Sequence, residues 1–116
     1  MLLGVANVFR ENNNMAVRVF TAKPKGLLKA FKDAIDDGEI STWEYNKQGD
    51  FAHTGKQFKE KAWFQPRIVT GAELAFALLT PKDGFDDDFI DPYYHGHLVI
   101  TLRNHFIKRF TSIRVE

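Results

Sequence analysis

The chain is 116 residues long, which fits one domain of ordinary size, and 44% of it is apolar, with eleven phenylalanines and two tryptophans to fill a core. It has no cysteine, which removes disulfides, thiolate-bound zinc or iron–sulfur clusters and a cysteine nucleophile, and suits a reducing cytosol. A net charge of +1 sets up no global field toward nucleic acid or an anionic membrane, and no apolar run approaches the roughly 18–20 residues of a membrane span.

The opening "MLLGVANVFRENNN" lacks the basic start and small-residue cleavage site of a signal peptide. Arg10-Glu11 can be encoded by AGG-GAG, a bacterial-type ribosome-binding sequence, and the asparagine codons then space it from Met15. Residues 1–14 are therefore expected to be a disordered or non-native extension ahead of one domain over 15–116. Residues 16–22 are β-branched and read as a strand. Pro24 suits a first helical turn, and Leu27, Leu28, Phe31, Ala34 and Ile35 repeat at helical spacing until Asp36-Asp37-Gly38 ends the run. "ISTWEYN" (40–46) reads as a strand and residues 46–50 as a turn.

Thr54 and Gln57 have capping-box spacing for a short helical turn through Lys61. Residues 62–69 read as a strand in which Pro66 requires an edge or a bulge. Residues 72–79, between Gly71 and Pro81, are short for a helix and alternate through Leu74, Phe76 and Leu78, so a strand is expected. An acidic loop follows over 80–91, then a helix over 92–108 with Asp91 as its cap and Pro92 at its first position. "FTSIRVE" closes the chain as a strand. The order β-α-β-β-β-α-β predicts an α+β two-layer sandwich: an antiparallel-dominated sheet of four to five strands with two helices on one face.

"DPYYHGHLVITLRNHF" (91–106) holds three of the four histidines. On a helix, His95 falls in the apolar stripe with Leu98, Val99, Leu102 and Phe106, with Tyr94 at its edge, while His97 falls on the polar side. No histidine pair there has the i, i+3 or i+4 spacing of helical metal ligands, so no metal is expected. His95 is then either a satisfied core histidine or a general base on a pocket floor, with Tyr94 beside it. His53, three residues after Asp50, is a second acid–base candidate, and Glu44 is a possible supporting carboxylate.

Two binding stretches also stand out. Lys56, Lys59, Lys61 and Arg67 interleave with Trp63 and Phe64, a composition suited to phosphate contacts and base stacking, although Asp50 and Glu60 dilute its charge. Phe85 and Phe89 sit in the acidic loop, where aromatics dock on the core or on a partner. "DGFDDDFID" fails the calcium-loop pattern, and no Walker, G-x-G-x-x-G or G-x-S-x-G motif occurs, so no cofactor is implied. The expected function is a non-catalytic interaction or structural domain, forming a homodimer or binding a protein partner through its surplus aromatics. Histidine acid–base catalysis is the alternative, and nucleic-acid binding through 56–67 the third.

Overall fold

The computed structural model describes residues 9–81 and 90–116, with side chains from Ala16 onward; Phe85 and Phe89 lie outside the described residues. The architecture is α+β, with six strands in the order β2-β3-β4-β5-β1-β6, each antiparallel to its neighbours. The strands are β1 (Phe9–Phe20), β2 (Trp43–Tyr45), β3 (Phe51–His53), β4 (Trp63–Thr70), β5 (Glu73–Pro81) and β6 (Ser112–Val115). The helices are α1 (Pro24–Asp36) and α2 (Ile90–Phe106), with 3₁₀ turns at Lys56–Phe58 and Ile107–Arg109. The expected four to five strands become six because β3, three residues long, shows no periodicity that a sequence window can register.

α1 forms as its apolar spacing dictates: Leu27, Phe31 and Ala34 are buried, and Pro24 occupies its start. Its end is closed by Gly38 at φ 80°, whose N–H donates to the Ile35 carbonyl at 3.1 Å. A side chain at that left-handed position would be strained, so glycine terminates the helix. The β2–β3 hairpin is built on Asn46, whose Oδ1 accepts the N–H groups of Gln48 (3.0 Å) and Asp50 (2.9 Å), with Gly49 at φ 85°.

β4 confirms what Pro66 demands. It meets β3 only at the Phe51–Phe64 pair, so from Gln65 onward it has β5 on one side and no strand on the other among the described residues. A residue without an N–H belongs on such an edge, and it blunts edge-to-edge pairing there. An irregularity between Ile68 and Thr70 adds a bulge.

Both helices cover one face of the sheet. Val17, Val19, Leu74, Phe76, Leu78, Phe64, Phe51 and Trp43 point into that layer and are almost completely enclosed. The Phe31 ring of α1 lies 4.7 Å from Phe51, 6.2 Å from Phe76 and 5.7 Å from Phe106 of α2, so the two helices share one aromatic core. Burying such a ring is worth about 2–3 kcal/mol. The opposite face carries Arg18, whose guanidinium bridges Glu73 (2.6 Å) and Glu116. These ion pairs are part-exposed and screened by solvent, so they add little to stability.

α2 differs from expectation at both ends. It begins at Ile90, so Asp91 lies inside the first turn instead of capping it, and it yields to the 3₁₀ turn after Phe106. Unlike the strongly amphipathic α1, it carries apolar residues on both its inner and outer faces. No helix among the described residues is long and apolar enough to cross a membrane.

Candidate functional site

The β2–β3 hairpin places Trp43 directly across from His53, and both point into the layer between sheet and helices. α2 lies over them and contributes Tyr93, Tyr94, His97 and Thr101, spaced by three and four residues along one side of the helix. The Trp43 indole N–H donates to Thr101 Oγ1 at 3.0 Å, and that hydroxyl donates to the His97 carbonyl at 2.9 Å. The Trp43 ring lies against both histidines, stacked on His97 at 5.7 Å and edge-on to His53 at 5.4 Å.

Tyr94 occupies an unusual place in the sheet. Its hydroxyl accepts the His53 N–H at 3.0 Å and donates to the Ala62 carbonyl at 3.0 Å. Continuing the register of the Phe51–Phe64 pair by two residues would set His53 opposite Ala62. The phenol oxygen therefore stands where a direct ladder bond from β3 to the start of β4 would run, and it bridges the two strands as they diverge. Burial pushes this phenol up to about 12. Both its donor and its acceptor capacity are engaged, which makes it a structural strut.

His53 is almost fully enclosed by Trp43, Phe58 (4.8 Å), Tyr93 (5.6 Å) and His97 (4.5 Å between ring centroids). Its Nδ1 accepts the Gly55 N–H at 2.9 Å, so the neutral ring carries its proton on Nε2. Nε2 is buried without a hydrogen-bond partner, and so is Nδ1 of half-buried His97. Burial first, and then the neighbouring His97, push the His53 imidazole down to about 4. Burial lowers His97 as well. Protonating His53 would place a cationic N–H against the Gly55 N–H, which disfavours the charged form further.

Gly55 is required by this packing. A Cβ there would lie 3.0 Å from His53 Nδ1 and 3.1 Å from Phe58 Cδ2. Gly55→Ala is expected to destabilise the fold by about 1–2 kcal/mol, by displacing the His53 ring or the Phe58 ring. Urea unfolding of the variant measures this; an unchanged midpoint would show that the pocket around His53 is loose.

His95, the other acid–base candidate, sits elsewhere. Its Nδ1–H donates to the Asp91 carbonyl at 2.6 Å and its ring meets Phe64 edge-on at 5.4 Å. Its Nε2 is buried and unpartnered, and no ring contact joins it to His53 among the described residues. Asp50 does not orient His53: with Asn46, Trp63 and Leu79 it lines a separate cleft of about 30 Å³. Burial raises its carboxyl. Glu44 is exposed on the hairpin, and His105 is exposed on α2.

A metal fits the His53–His97 pair poorly. A ligating imidazole donates through its other nitrogen, whereas the other nitrogen of His53 accepts. Among the described residues no third histidine or carboxylate joins the pair.

In the basic stretch, Lys56 and Lys59 are exposed, Lys61 is half-buried, and Arg67 on β4 donates to Gln65 Oε1 at 3.1 and 2.8 Å. Phe51, Phe58 and Phe64 are all core residues, which leaves Trp63 as the half-buried aromatic of the stretch. The expected capping box does not form. The Thr54 hydroxyl donates to the Ser41 carbonyl instead, and Gly55 precedes the 3₁₀ turn.

Trp43 and above all His97 carry no mark in the sequence as residues of this site. His97 was expected on the polar side of its helix, but it faces the hairpin. The signal lay in pairing strands across the Asn46–Asp50 turn, which sets Trp43 and His53 together beneath the helix. Comparison of the chain with protein-family models, with curated proteins and with solved structures finds no match.

Proposed function

We propose that this is a non-catalytic interaction or structural domain whose histidine–aromatic cluster locks the β2–β3 hairpin beneath α2. The observation that carries this is that three of the candidate acid–base groups, Tyr94, His53 and His95, each hold a backbone group through a side-chain atom. The Tyr94 hydroxyl holds His53 N–H and Ala62 C=O, His53 Nδ1 holds Gly55 N–H, and His95 Nδ1–H holds Asp91 C=O. Such bonds support a role in positioning the backbone: the basic nitrogen of His53 is taken by Gly55 N–H, and the basic Nε2 of His95 is buried away from any substrate.

One observation favours acid–base chemistry instead: the stranded nitrogens of His53 and His97 belong to rings in contact. Acylation by diethyl pyrocarbonate, followed site by site with peptide mass spectrometry, separates the two. In a fold lock, exposed His105 reacts fastest, His97 more slowly, and His53 and His95 about a hundredfold more slowly, through rare openings of the core. Modification of His53 at a rate matching His105 would reveal an accessible imidazole and overturn the non-catalytic assignment. Nucleic-acid binding is weakly supported, because three of the four aromatics between Phe51 and Phe64 are enclosed and cannot stack on bases.

A further inference from the structure

On the face of the sheet away from the helices, strand alternation gathers residues of three strands and one turn around a small cleft. Phe51, Phe64 and Leu78 point into the core, so their neighbours Asp50, Trp63 and Leu79 turn to the opposite face. Trp63 pairs with Leu79 across β4 and β5, and the Phe51–Phe64 pair brings Asp50 up to them. With Asn46 from the hairpin turn they line about 30 Å³. A single water needs roughly 10–15 Å³, so the cleft takes a group of two or three heavy atoms and no ring.

Its chemistry is that of a cation site. The half-buried Asp50 carboxylate makes no hydrogen bond or ion pair among the described residues, and burial alone raises its carboxyl. The hairpin does not depend on it. Asn46 Oδ1 holds the Gln48 and Asp50 N–H groups, and the bond between strands runs from the Asn46 N–H to the Asp50 carbonyl. Arg67, on the same face of β4, donates to Gln65 Oε1. Glu44, exposed and paired with Ala52, adds a second negative charge to this face. A half-buried carboxylate without a partner costs the fold stability. The aromatic wall beside it favours an organic cation over a hydrated metal ion.

We propose that this cleft binds a primary ammonium group, held by the Asp50 carboxylate against the Trp63 ring. The terminal methylene and ammonium of an alkylamine match the space, whereas a planar guanidinium exceeds it. One such head group binds weakly, with a Kd on the order of 1 mM. A free alkylamine and the side chain of a partner protein's lysine both present this group, and the test separates them. This assignment rests on the interaction reading and names the chemistry the domain recognises.

Nuclear magnetic resonance of the isotope-labelled full chain follows the indole N–H of Trp63, identified by its loss in Trp63→Phe. Butylammonium chloride, at ionic strength held constant with sodium chloride, should shift this signal and saturate below about 50 mM. The Trp43 indole, bonded to Thr101, should stay in place. Butanol, which has the same alkyl chain and no charge, should give no saturable shift. Asp50→Asn should weaken butylammonium by about tenfold or more. Its melting temperature should stay within about 2 °C, since the carboxylate makes no internal bond. Diaminobutane and the amide of acetyl-lysine are then compared, and the tighter of the two names the source, either order supporting the site. No shift with butylammonium, an equal shift with butanol, a constant that Asp50→Asn leaves unmoved, or saturation by magnesium chloride in its place overturns the proposal. The two assignments fail separately: fast acylation of His53 leaves cation binding standing on the other face of the sheet, and a silent Trp63 leaves His53 protected.

Discussion

Replacing Tyr94 with phenylalanine is expected to lower the free energy of unfolding by about 2–4 kcal/mol, far more than loss of one ordinary hydrogen bond. The phenol ring keeps its contacts, edge-on to Trp43 at 5.4 Å and against Phe64 at 5.6 Å, so little packing is lost. What is lost is the oxygen between His53 N–H and Ala62 C=O, and both backbone groups are left facing an apolar ring. A buried donor and a buried acceptor without partners each incur about 1–3 kcal/mol of desolvation. Chemical denaturation gives the magnitude, and amide exchange gives the mechanism: the His53 N–H should exchange markedly faster in Tyr94→Phe. If stability changes by less than about 0.5 kcal/mol while that amide stays protected, the strands have closed directly on one another. The hydroxyl would then be incidental.

The contrast between α1 and the histidine cluster shows which parts of the molecule the sequence discloses. α1 is written locally: Pro24, the Leu27–Phe31–Ala34 spacing and Gly38 each act within a turn or two, and the structure agrees at both ends. Pro66 is equally legible, because a missing N–H restricts where a strand can lie. The cluster is different, since it exists only when a hairpin lies beneath a helix. His97 looks polar on a helical projection because the stripe is centred on Leu98 and Leu102, yet Trp43 reaches it from the sheet. Tyr94 looks marginal on the same projection and turns out fully enclosed, because its hydroxyl finds backbone partners in β3 and ahead of β4. β3 itself owes its place to the Asn46 turn and to Tyr94 more than to its own three residues. Its pairing with β4 is a single register position. Non-local partnerships of this kind leave no periodic mark.

Acid is expected to destabilise this protein well above the pH at which carboxylates titrate. In the unfolded chain His53 takes a proton near its ordinary 6.5, whereas in the fold burial and His97 hold it down to about 4. Between those values the unfolded state binds more protons than the folded state, so stability falls as pH drops through the window. The fall levels off below about 4, where the folded imidazole is also charged. The gap sets an upper bound of about 3 kcal/mol; partial solvent access beside His97 reduces this to about 2 kcal/mol. His97, also lowered by burial, acts in the same direction. The groups packed on the pair from the other elements, Trp43, Phe58, Tyr93 and Tyr94, are aromatic and bring no carboxylate to a new imidazolium. Two carboxylates bound the effect from below. Glu116, held down by Arg18, loses its stabilising charge only at lower pH, and Asp50, raised by burial, gives a small gain as it protonates. Urea midpoints at pH 7.5, 6.5, 5.5 and 4.5 measure the slope. In His53→Asn the side-chain oxygen can still accept the Gly55 N–H but cannot titrate, so about half or more of the slope should disappear. His97→Phe should remove much of the remainder. A native protein equally stable at pH 7.5 and 5, or a slope that survives both substitutions, would mean that the stranded nitrogens of His53 and His97 are hydrated and the pair is not a buried one.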